Sequence, residues 1–337
     1  MICDRQAGTV TMMTGRGARL AMAVGTVFML RAADACAADF PVKPIRFVVP
    51  FAPGGGGDIV CRQVAQHLTE RLGESVVVDN RGGAGGNVGT DIVAKSPADG
   101  YTLLMANVAP MAINASLYRK LPYDPARDFA PVTLLASFPN VLVVHPAVAA
   151  KNLGELIALA KAKPGLLTYA SAGSGSTTHL AAELLRTQAA IDLIHVPYKG
   201  GGAALIDLLA GHVTLYFGSM PAALPYVRAG RLRALAVTSL ARSAAEPDIP
   251  SVAEAGFPGF EAVTWIGLVA PAGTPAGVVA RLNAEVVRIM QLPVMRERMA
   301  GLGAEPLTNT PAEFAGYIRS EIVKWARVVK ESGITPE

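Results

Sequence analysis

The sequence predicts an α/β protein made of two lobes. In the mature part of the chain, short and continuously apolar runs alternate with segments of helical spacing. This alternation is typical of mostly parallel sheets covered by helices on both faces. The alternations are too many for one small sheet. Two long extended segments, residues 128–146 and 260–275, are flanked by prolines, and we interpret them as the passages between the lobes.

The individual elements follow from the same patterns. Strands are predicted at short apolar runs rich in β-branched residues, namely residues 45–51, 75–80, 101–107, 167–173, 193–198, 213–219 and 231–239. Helices are predicted where apolar residues recur every three or four positions, namely residues 58–72, 88–95, 153–163, 178–189, 203–209 and 221–229. Two C-terminal helices, residues 275–290 and 311–330, would pack back on the first lobe.

This organisation divides the mature chain into three parts. Residues 38–137 are the first part of lobe 1, residues 138–262 are lobe 2, and residues 263–337 complete lobe 1. The first 37 residues precede lobe 1 and are predicted to be a signal peptide.

Composition favours a globular protein with more than one core. The 337 residues are enough for two domains, 51% of them are hydrophobic and only 17% are charged. The formal net charge is only +4, and the lysines and arginines are scattered without a basic tract. Nucleic acid is therefore not expected as a partner.

The N-terminus has the layout of a secretory signal peptide, residues 1–37. Two arginines precede an apolar run at residues 20–30, and Ala35 and Ala37 stand in the register of a cleavage site. Cleavage after Ala37 would export the protein. An uncleaved membrane anchor is the alternative, although the run is shorter than the ~18 residues of a membrane-spanning helix.

Cysteine usage fits an exported protein without an internal disulfide. Cleavage after Ala37 would leave Cys61 as the only cysteine, so stability has to come from core burial. We interpret Cys61, on the apolar side of the first helix, as a buried thiol rather than a nucleophile. Lipidation at Cys36 stays open, although Ala33 and Asp34 are a poor approach to a lipidated cysteine.

Three glycine-rich turns lie between a predicted strand and a predicted helix, at residues 50–58, 170–179 and 196–204. Such turns bring backbone N–H groups and the positive end of a helix dipole to a ligand at the carboxyl ends of the strands. The second turn adds hydroxyl groups, and the third adds Tyr198 and Lys199. The first turn belongs to lobe 1 and the others to lobe 2, so the lobes would close on one anionic ligand.

Each turn also has a purely structural interpretation. Ser174 and Ser176 could cap a helix, and Asp58 could cap the first helix without touching a ligand. Lys199 could be solvated, and any single glycine loop could be a tight turn. The coincidence of three such turns favours a ligand site.

Nucleotide-binding and metal-binding sites would each require residues that this sequence lacks. Residues 82–89 miss one glycine of a dinucleotide-binding fingerprint, and no P-loop motif exists. No cysteine pair or closely spaced His/Glu cluster offers metal ligands, so neither a metal nor a cofactor is expected.

A hydrolase is the alternative of a different class. Residues 169–173 resemble a nucleophile elbow around Ser171, although Tyr169 replaces its first glycine. The histidine base should stand in a late loop, and none of the available histidines does: His145, His179, His195 and His212. We interpret His179 and His195 as structural. An exported esterase using Ser171 or Ser174 stays open.

Several long segments, taken in order, resemble a known family. They include "KPIRFVVPFAPGGGGDIVCR", "VVVDNRGGAGGNVGTDIVAKSPADGYTLLMA", "HVPYKGGGAALIDLLAGHVTLYF" and "IPSVAEAGFPGFEAVTWIGLVAPAGTP". With Trp325, they resemble the Bug-type, TctC-like extracytoplasmic solute receptors of tripartite tricarboxylate transporters. The resemblance is collinear from Pro41 to Lys330.

The resemblance implies a type II periplasmic-binding-protein fold, with two α/β lobes joined by two crossover strands and a ligand cleft between them. It implies a periplasmic and monomeric protein, not an enzyme, that captures a small carboxylate for membrane permease subunits. The ligand classes are dicarboxylates, tricarboxylates, amino acids and aromatic acids. A ligand-sensing receptor of a signalling system would use the same cleft and stays open.

The resemblance also implies ligand contacts on the three turns and at two other strand ends. The implied residues are Phe51, Ala52, Gly54, Gly55, Asp58, Asn107, Ser174, Ser176, Thr177, Tyr198, Lys199, Gly200 and Ser219. Family members hold the carboxylate largely through backbone amides and ordered water. Gly57 departs from the family pattern, in which a bulkier residue is usual, and this affects the expected ligand size.

Overall fold

The computed structural model describes residues 40–331. The predicted signal peptide, residues 1–37, and the lipidation alternative at Cys36 lie outside the described residues. Within residues 40–331, no helix combines the length and the apolar character needed to cross a membrane.

Strands and helices alternate along the chain. In chain order the strands are β1 (Ile45–Val49), β2 (Val76–Asn80), β3 (Thr102–Asn107), β4 (Phe129–Val144), β5 (Thr168–Ser171), β6 (Ile194–Pro197), β7 (Leu215–Ser219), β8 (Arg233–Val237), β9 (Val263–Pro271) and β10 (Glu305–Pro306). The helices are α1 (Gly56–Leu72), α2 (Asn87–Ala94), α3 (Asn114–Leu117), α4 (Leu153–Ala162), α5 (Thr177–Ala189), α6 (Gly201–Leu209), α7 (Met220–Arg228), α8 (Ala276–Gln291), α9 (Pro293–Gly301) and α10 (Pro311–Glu331). A 3₁₀ turn at Ala84–Gly86 precedes α2, and a π-helical turn at Ala109–Ile113 precedes α3.

The predicted strands and helices are all present, with ends shifted by about two residues at most. The two predicted extended segments contain β4 and β9, and β9 is shorter than its segment by three residues at the start and four at the end. The sequence patterns did not predict α3, α9 or β10. The four-residue α3 and the two-residue β10 are too short to show a period. In α9, polar and apolar residues are spread around the helix, with only Met295 and Met299 buried.

The strands form two sheets that share β4. The first sheet has the order β2-β1-β3-β9-β4, with β10 beside β4. The second has the order β6-β5-β7-β4, with β8 on the other side of β4. This is the two-lobed α/β architecture with crossover strands that the sequence predicts.

The prediction of mostly parallel sheets was wrong for the strands that pass between the lobes. β9 runs antiparallel to β3 and β4 in the first sheet, and β4 runs antiparallel to β7 and β8 in the second. The reason is geometric. In both lobes the carboxyl ends of the parallel strands face the cleft, so a strand that arrives from the other lobe enters at the cleft and runs the opposite way.

The change of sheet occurs at one point in β4. Pro139 is the last residue of β4 paired with β9, and Asn140 is the first paired with β7. The Asn140 backbone N–H donates to Thr238 Oγ1 (2.8 Å), and the Asn140 side-chain Nδ2 donates to the Ala262 carbonyl (3.0 Å). Both chain passages are therefore tied together at Asn140. The predicted lobe limits, 38–137, 138–262 and 263–337, stay a prediction.

Each lobe has its own apolar core. The first helix, α1, buries Val60, Val64 and Leu68, which recur at helical spacing on its inner side. In the second lobe, Leu215 and Phe217 of β7 are fully buried.

The C-terminal helices pack on the first lobe, as predicted. Phe314 and Ile318 of α10 are buried in one core cluster with Val48 and Leu104. Asn283 of α8 donates from Nδ2 to the Val132 carbonyl of β4 (2.8 Å).

One buried carboxylate joins α10 to the crossover strand β9. Glu321 Oε2 accepts from Trp265 Nε1 (2.8 Å) and from Trp325 Nε1 (3.0 Å). All three side chains are buried, and Lys324 Nζ lies 3.7 Å from Glu321 Oε1. The single acceptor satisfies both indole N–H groups of the protein's two tryptophans.

We expect Glu321→Leu to lower the free energy of unfolding by roughly 2–5 kcal/mol, because two buried indole donors lose their acceptor. Glu321→Gln keeps an acceptor oxygen and should lose less than half as much. Urea unfolding followed by tryptophan fluorescence measures both variants. Equal stability of Glu321→Leu and the parent protein would show that the two hydrogen bonds contribute nothing net.

Candidate functional site

A cavity lies between the lobes at the carboxyl ends of the strands. It encloses ≈ 480 Å³ of space between atoms, part of it open to solvent. It is lined by Phe51, Ala52, Gly55, Gly56, Gly57, Asp58, Met105, Asn107, Phe138, Asn140, Ala172, Ser176, Thr177, Thr178, Gly201, Tyr216, Ser219 and Thr264. The lining comes from both lobes and from both passages between them.

The lobe 1 wall is the glycine turn that leads into α1. Asp58 fixes this turn from behind: its Oδ2 accepts from the Gly54 backbone N–H (2.9 Å) and its Oδ1 from Asn80 Nδ2 (2.9 Å). Arg62 Nε also donates to Asp58 Oδ2, at 3.0 Å. The carboxylate is 4% exposed and both of its oxygens are occupied. Asp58 therefore fixes the turn from which α1 begins, and the first residues of α1, Gly56 and Gly57, line the cavity.

The lobe 2 wall consists of the N-termini of α5, α6 and α7. Ser176 caps α5 by accepting from the His179 backbone N–H (3.3 Å), and its hydroxyl donates to the Gly173 carbonyl (2.6 Å). Thr178 Oγ1 accepts from the Ala172 N–H at 2.8 Å. Thr177 Oγ1 lies 2.6 Å from Thr264 Oγ1 on β9. These bonds fix the start of α5 at the cavity and join it to β9.

Two further polar side chains face this space. Asn107 Oδ1 accepts from the Ala109 N–H (3.0 Å), which leaves its Nδ2 group as a donor for the cavity. Tyr216 also lines the cavity, and burial raises the pKa of its phenol well above the usual value, so the phenol stays protonated. Both residues can therefore donate to an anion.

The charge of the lining comes from main-chain dipoles rather than from cationic side chains. Among the described residues that line the cavity there is no lysine, arginine or histidine, and Asp58 is the only one with a formal charge. Helix N-termini carry a partial positive charge and N–H groups without intrahelical partners. The cavity can thus bind an anion without a buried counter-ion.

The two lobes touch directly around the cavity. The Ala52 N–H of lobe 1 donates to the Lys199 carbonyl of lobe 2 (3.0 Å), and the Gly56 N–H donates to Ser219 Oγ (3.0 Å). Glycine makes this approach possible: a Cβ at Gly200 would lie 2.5 Å from Ala52 N, and one at Gly202 would lie 2.0 Å from the Pro53 carbonyl oxygen. At Gly200 and Gly202 the contact is main chain against main chain.

The structure brings many of the predicted site residues together at the cavity. Those that line it are Phe51, Ala52, Gly55, Asp58, Asn107, Ser176, Thr177 and Ser219. Whether they contact a ligand stays a prediction.

The other predicted residues lie next to the cavity, where the lobes meet. Lys199 and Gly200 meet Ala52, and Gly54 faces Gly202, where a Cβ on Gly54 would be 3.6 Å from the Gly202 Cα. The Ser174 carbonyl accepts from Tyr118 OH of lobe 1 (3.3 Å).

Tyr198, the last of these predicted residues, is part-buried. Its hydroxyl donates to Asp207 Oδ2 at 2.6 Å. That bond lies within lobe 2.

Ten lining residues are not among the predicted ligand contacts: Gly56, Gly57, Met105, Phe138, Asn140, Ala172, Thr178, Gly201, Tyr216 and Thr264. Five of them lie in the predicted glycine turns, and for one of these, Gly57, the sequence predicts an effect on ligand size. Asn140 and Thr264 had a signal, since each is a polar residue inside a long apolar segment. Met105, Phe138 and Tyr216 had none, because their pattern is that of ordinary core residues.

Ser171 and Ser174, the two serines of the hydrolase alternative, are not among the residues that line the cavity. Ser171 Oγ is 2.7 Å from His195 Nε2, so the structure supplies the histidine that sequence reasoning did not find. However, Ser171 is fully buried and its Oγ also accepts from the Gly173 N–H (3.1 Å). His195 stacks on His179 with 4.3 Å between ring centroids. Ser171 is thus a buried residue and His195 a part-buried one, and neither lines the cavity.

The interpretation of Cys61 as a buried thiol is confirmed. Cys61 is fully buried, and this burial raises the pKa of its thiol well above the usual value, with the Asp58 charge acting in the same direction. Within residues 40–331, no group of three His, Cys, Asp or Glu side chains could hold a metal ion.

This fold and cleft define the class of two-lobed solute-binding proteins. The family model of the tripartite tricarboxylate transporter family receptor, TctC, matches residues 60–334. The chain belongs to that family. BugT of Bordetella pertussis is 44% identical over 305 residues, covering 90% of this chain and 93% of BugT.

Solved structures agree with this assignment. Periplasmic binding protein BugD is 35% identical, with a TM-score of 0.86 over 88% of this chain and 100% of BugD. MatC of Rhodopseudomonas palustris, a structure with bound malate, is 35% identical, with a TM-score of 0.82 over 86% of this chain and 100% of MatC.

We expect Gly202→Ala to weaken carboxylate binding by about tenfold or more, because the new Cβ prevents α6 from reaching Pro53. The melting temperature without ligand should not fall, since alanine is a better helix former than glycine. Calorimetric titration with malate, succinate, citrate and adipate measures the affinity.

Gly154→Ala is the matched control for Gly202→Ala. It is also a helical glycine of lobe 2, but a Cβ there would meet only Asn152 Oδ1, at 3.4 Å. Its ligand affinities should equal those of the parent protein. An unchanged Kd in Gly202→Ala would show that the observed approach of the lobes is not needed for binding.

Proposed function

We propose that this protein is a periplasmic receptor that captures a small carboxylate and delivers it, unaltered, to the permease subunits of a tripartite tricarboxylate-type transporter. The observation that carries the proposal is the cavity between the lobes, with helix N-termini from both lobes in its lining and no lysine or arginine among its described residues. Fixed N–H donors suit a carboxylate, because they bind it without the cost of burying a counter-charge. MatC, a relative with this fold, holds malate.

We propose three roles for the predicted site residues. Those that line the cavity are proposed as ligand contacts, with Asp58 acting through the turn that it fixes. Gly54, Ser174, Lys199 and Gly200 are proposed to act in closure, because they lie where one lobe touches the other. For Tyr198 we propose a supporting role, since its hydroxyl is bonded to Asp207.

Closure would couple binding to delivery. A carboxylate that binds between the N-terminus of α1 and the N-termini of α5, α6 and α7 attracts both lobes. It can contact both only when the lobes are close together, so it stabilises the closed form. β4 and the chain that leads into β9 are the two passages between the lobes, so they are the hinge candidates. The closed form presents a surface to the permease that the open form lacks.

The lining favours release without chemistry. Its described residues include no histidine, cysteine or lysine that could act as base or nucleophile. In the Ser171–His195 pair of the esterase alternative, Ser171 is fully buried, and neither residue lines the cavity.

Location and assembly complete the proposal. The predicted signal peptide, together with periplasmic relatives such as BugD, supports a place in the periplasm. We propose that the receptor acts as a monomer, since two lobes of one chain supply the whole cavity lining.

A thermal-shift screen of mono-, di- and tricarboxylates tests the proposal. A ligand present at 100 times its Kd should add about 2.7 kcal/mol to the free energy of unfolding. We expect at least one acid of two or more carboxylates to raise the melting temperature, and high-performance liquid chromatography to recover it unchanged.

Two results would contradict the proposal. The first is that no acid shifts the melting temperature at millimolar concentration. The second is turnover of an ester substrate that is lost in Ser171→Ala, which would make the protein a hydrolase.

A further inference from the structure

Asn140 stands at the point where β4 leaves one sheet for the other, and it lines the cavity. Its side chain is fully buried. The backbone is held on both sides, because the N–H donates to Thr238 Oγ1 (2.8 Å) and the carbonyl accepts from the Thr238 N–H (2.9 Å). The position of the Asn140 side chain is therefore fixed by the strand pairing.

The orientation of the Asn140 amide is fixed as well. Its Nδ2 lies 3.0 Å from the Ala262 carbonyl oxygen. A carbonyl can only accept, so the nitrogen of the amide must face it, and an amide flip would place two acceptors in contact. The side-chain oxygen is consequently the polar atom of Asn140 that is left for the cavity.

That oxygen, Asn140 Oδ1, has no hydrogen-bond partner among the described residues. A buried acceptor without a donor costs free energy, and native proteins rarely keep one without a reason. No hydroxyl group of the described residues makes a hydrogen bond to Asn140 Oδ1, although Ser219 and Thr264 also line the cavity. The cavity thus contains a buried acceptor in a lining that otherwise offers donors to an anion.

We propose that Asn140 Oδ1 accepts a hydrogen bond from a hydroxyl group of the ligand, so that the receptor selects hydroxy-carboxylates over their deoxy analogues. The proposal rests on the carboxylate-binding function proposed above. A second carboxylate cannot satisfy Oδ1, because two acceptors repel. The site disfavours an ammonium group, because Asp58 is the only carboxylate of the described lining and both of its oxygens are already bonded.

Matched pairs of acids that differ by one hydroxyl group test this selectivity. The pairs are malate with succinate, 2-hydroxyglutarate with glutarate, and citrate with tricarballylate. For the pair that binds best, we expect the hydroxy acid to bind about 10- to 100-fold more tightly, which is the effect of one buried hydrogen bond to an otherwise unpaired group. Isothermal titration calorimetry measures both Kd values.

The variant Asn140→Leu tests whether the Asn140 side chain causes this selectivity. The variant should weaken the binding of the hydroxy acid only, and so bring the ratio of the two Kd values close to one. The fold should tolerate it, because the Ala262 carbonyl keeps its bond from Thr238 Oγ1 (2.7 Å). Asn283→Leu is the matched control: it also removes a side-chain amide that donates to backbone carbonyls, but outside the cavity. Its ratio should equal that of the parent protein.

Each of the other possible binding results contradicts one part of the proposal. Equal or tighter binding of the deoxy acid by the parent protein would overturn the hydroxyl selectivity and leave the carboxylate receptor standing. A ratio that survives in Asn140→Leu would overturn the role of Asn140. If Asn140→Leu does not fold, Asn140→Ala replaces it with the same expectation, because it also removes the acceptor. Binding of none of the six acids would overturn the hydroxyl selectivity, and the thermal-shift screen would then decide separately whether the protein binds any other carboxylate.

Discussion

The site depends on main chain of one lobe meeting main chain of the other. The Ala52 N–H reaches the Lys199 carbonyl at 3.0 Å, and this contact has no room for a side chain at Gly200 or Gly202. Glycine runs at these turns therefore serve two purposes. They expose N–H groups at helix starts, and they let the lobes approach until those groups surround one small space.

Electrostatics explains why such a cavity suits an acid that must later be released. A buried lysine or arginine would have to be desolvated in every cycle, whereas oriented N–H groups are already fixed by the helices and by Asp58. The negative charge of Asp58 is compensated by Arg62, Asn80 and the Gly54 N–H, so it shapes the turn without repelling the ligand as a bare carboxylate would. The net field at the cavity remains that of several helix N-termini.

Much of this architecture could be predicted from local sequence, and the rest could not for physical reasons. Apolar runs and helical spacing predict β1 to β9 and most helices, and the glycine turns predict where an anion would lie. Asn140 and Tyr216 reach the cavity only through the pairing of β4 with β7, which is a long-range contact. The antiparallel entry of β4 and β9, and the 2.7 Å distance between Ser171 and His195, likewise depend on how separate segments assemble.

The central claim is that a carboxylate is held by helix N-termini of both lobes at once. A crystal structure of the complex with the acid that gives the largest thermal shift tests this claim most directly. We expect carboxylate oxygens that accept hydrogen bonds of about 2.7–3.2 Å from N–H groups of the α1 turn and of at least one helix start in lobe 2. One water can bridge an oxygen and an N–H group. A carboxylate paired with a lysine or arginine, or bound to one lobe alone in a closed protein, would contradict it.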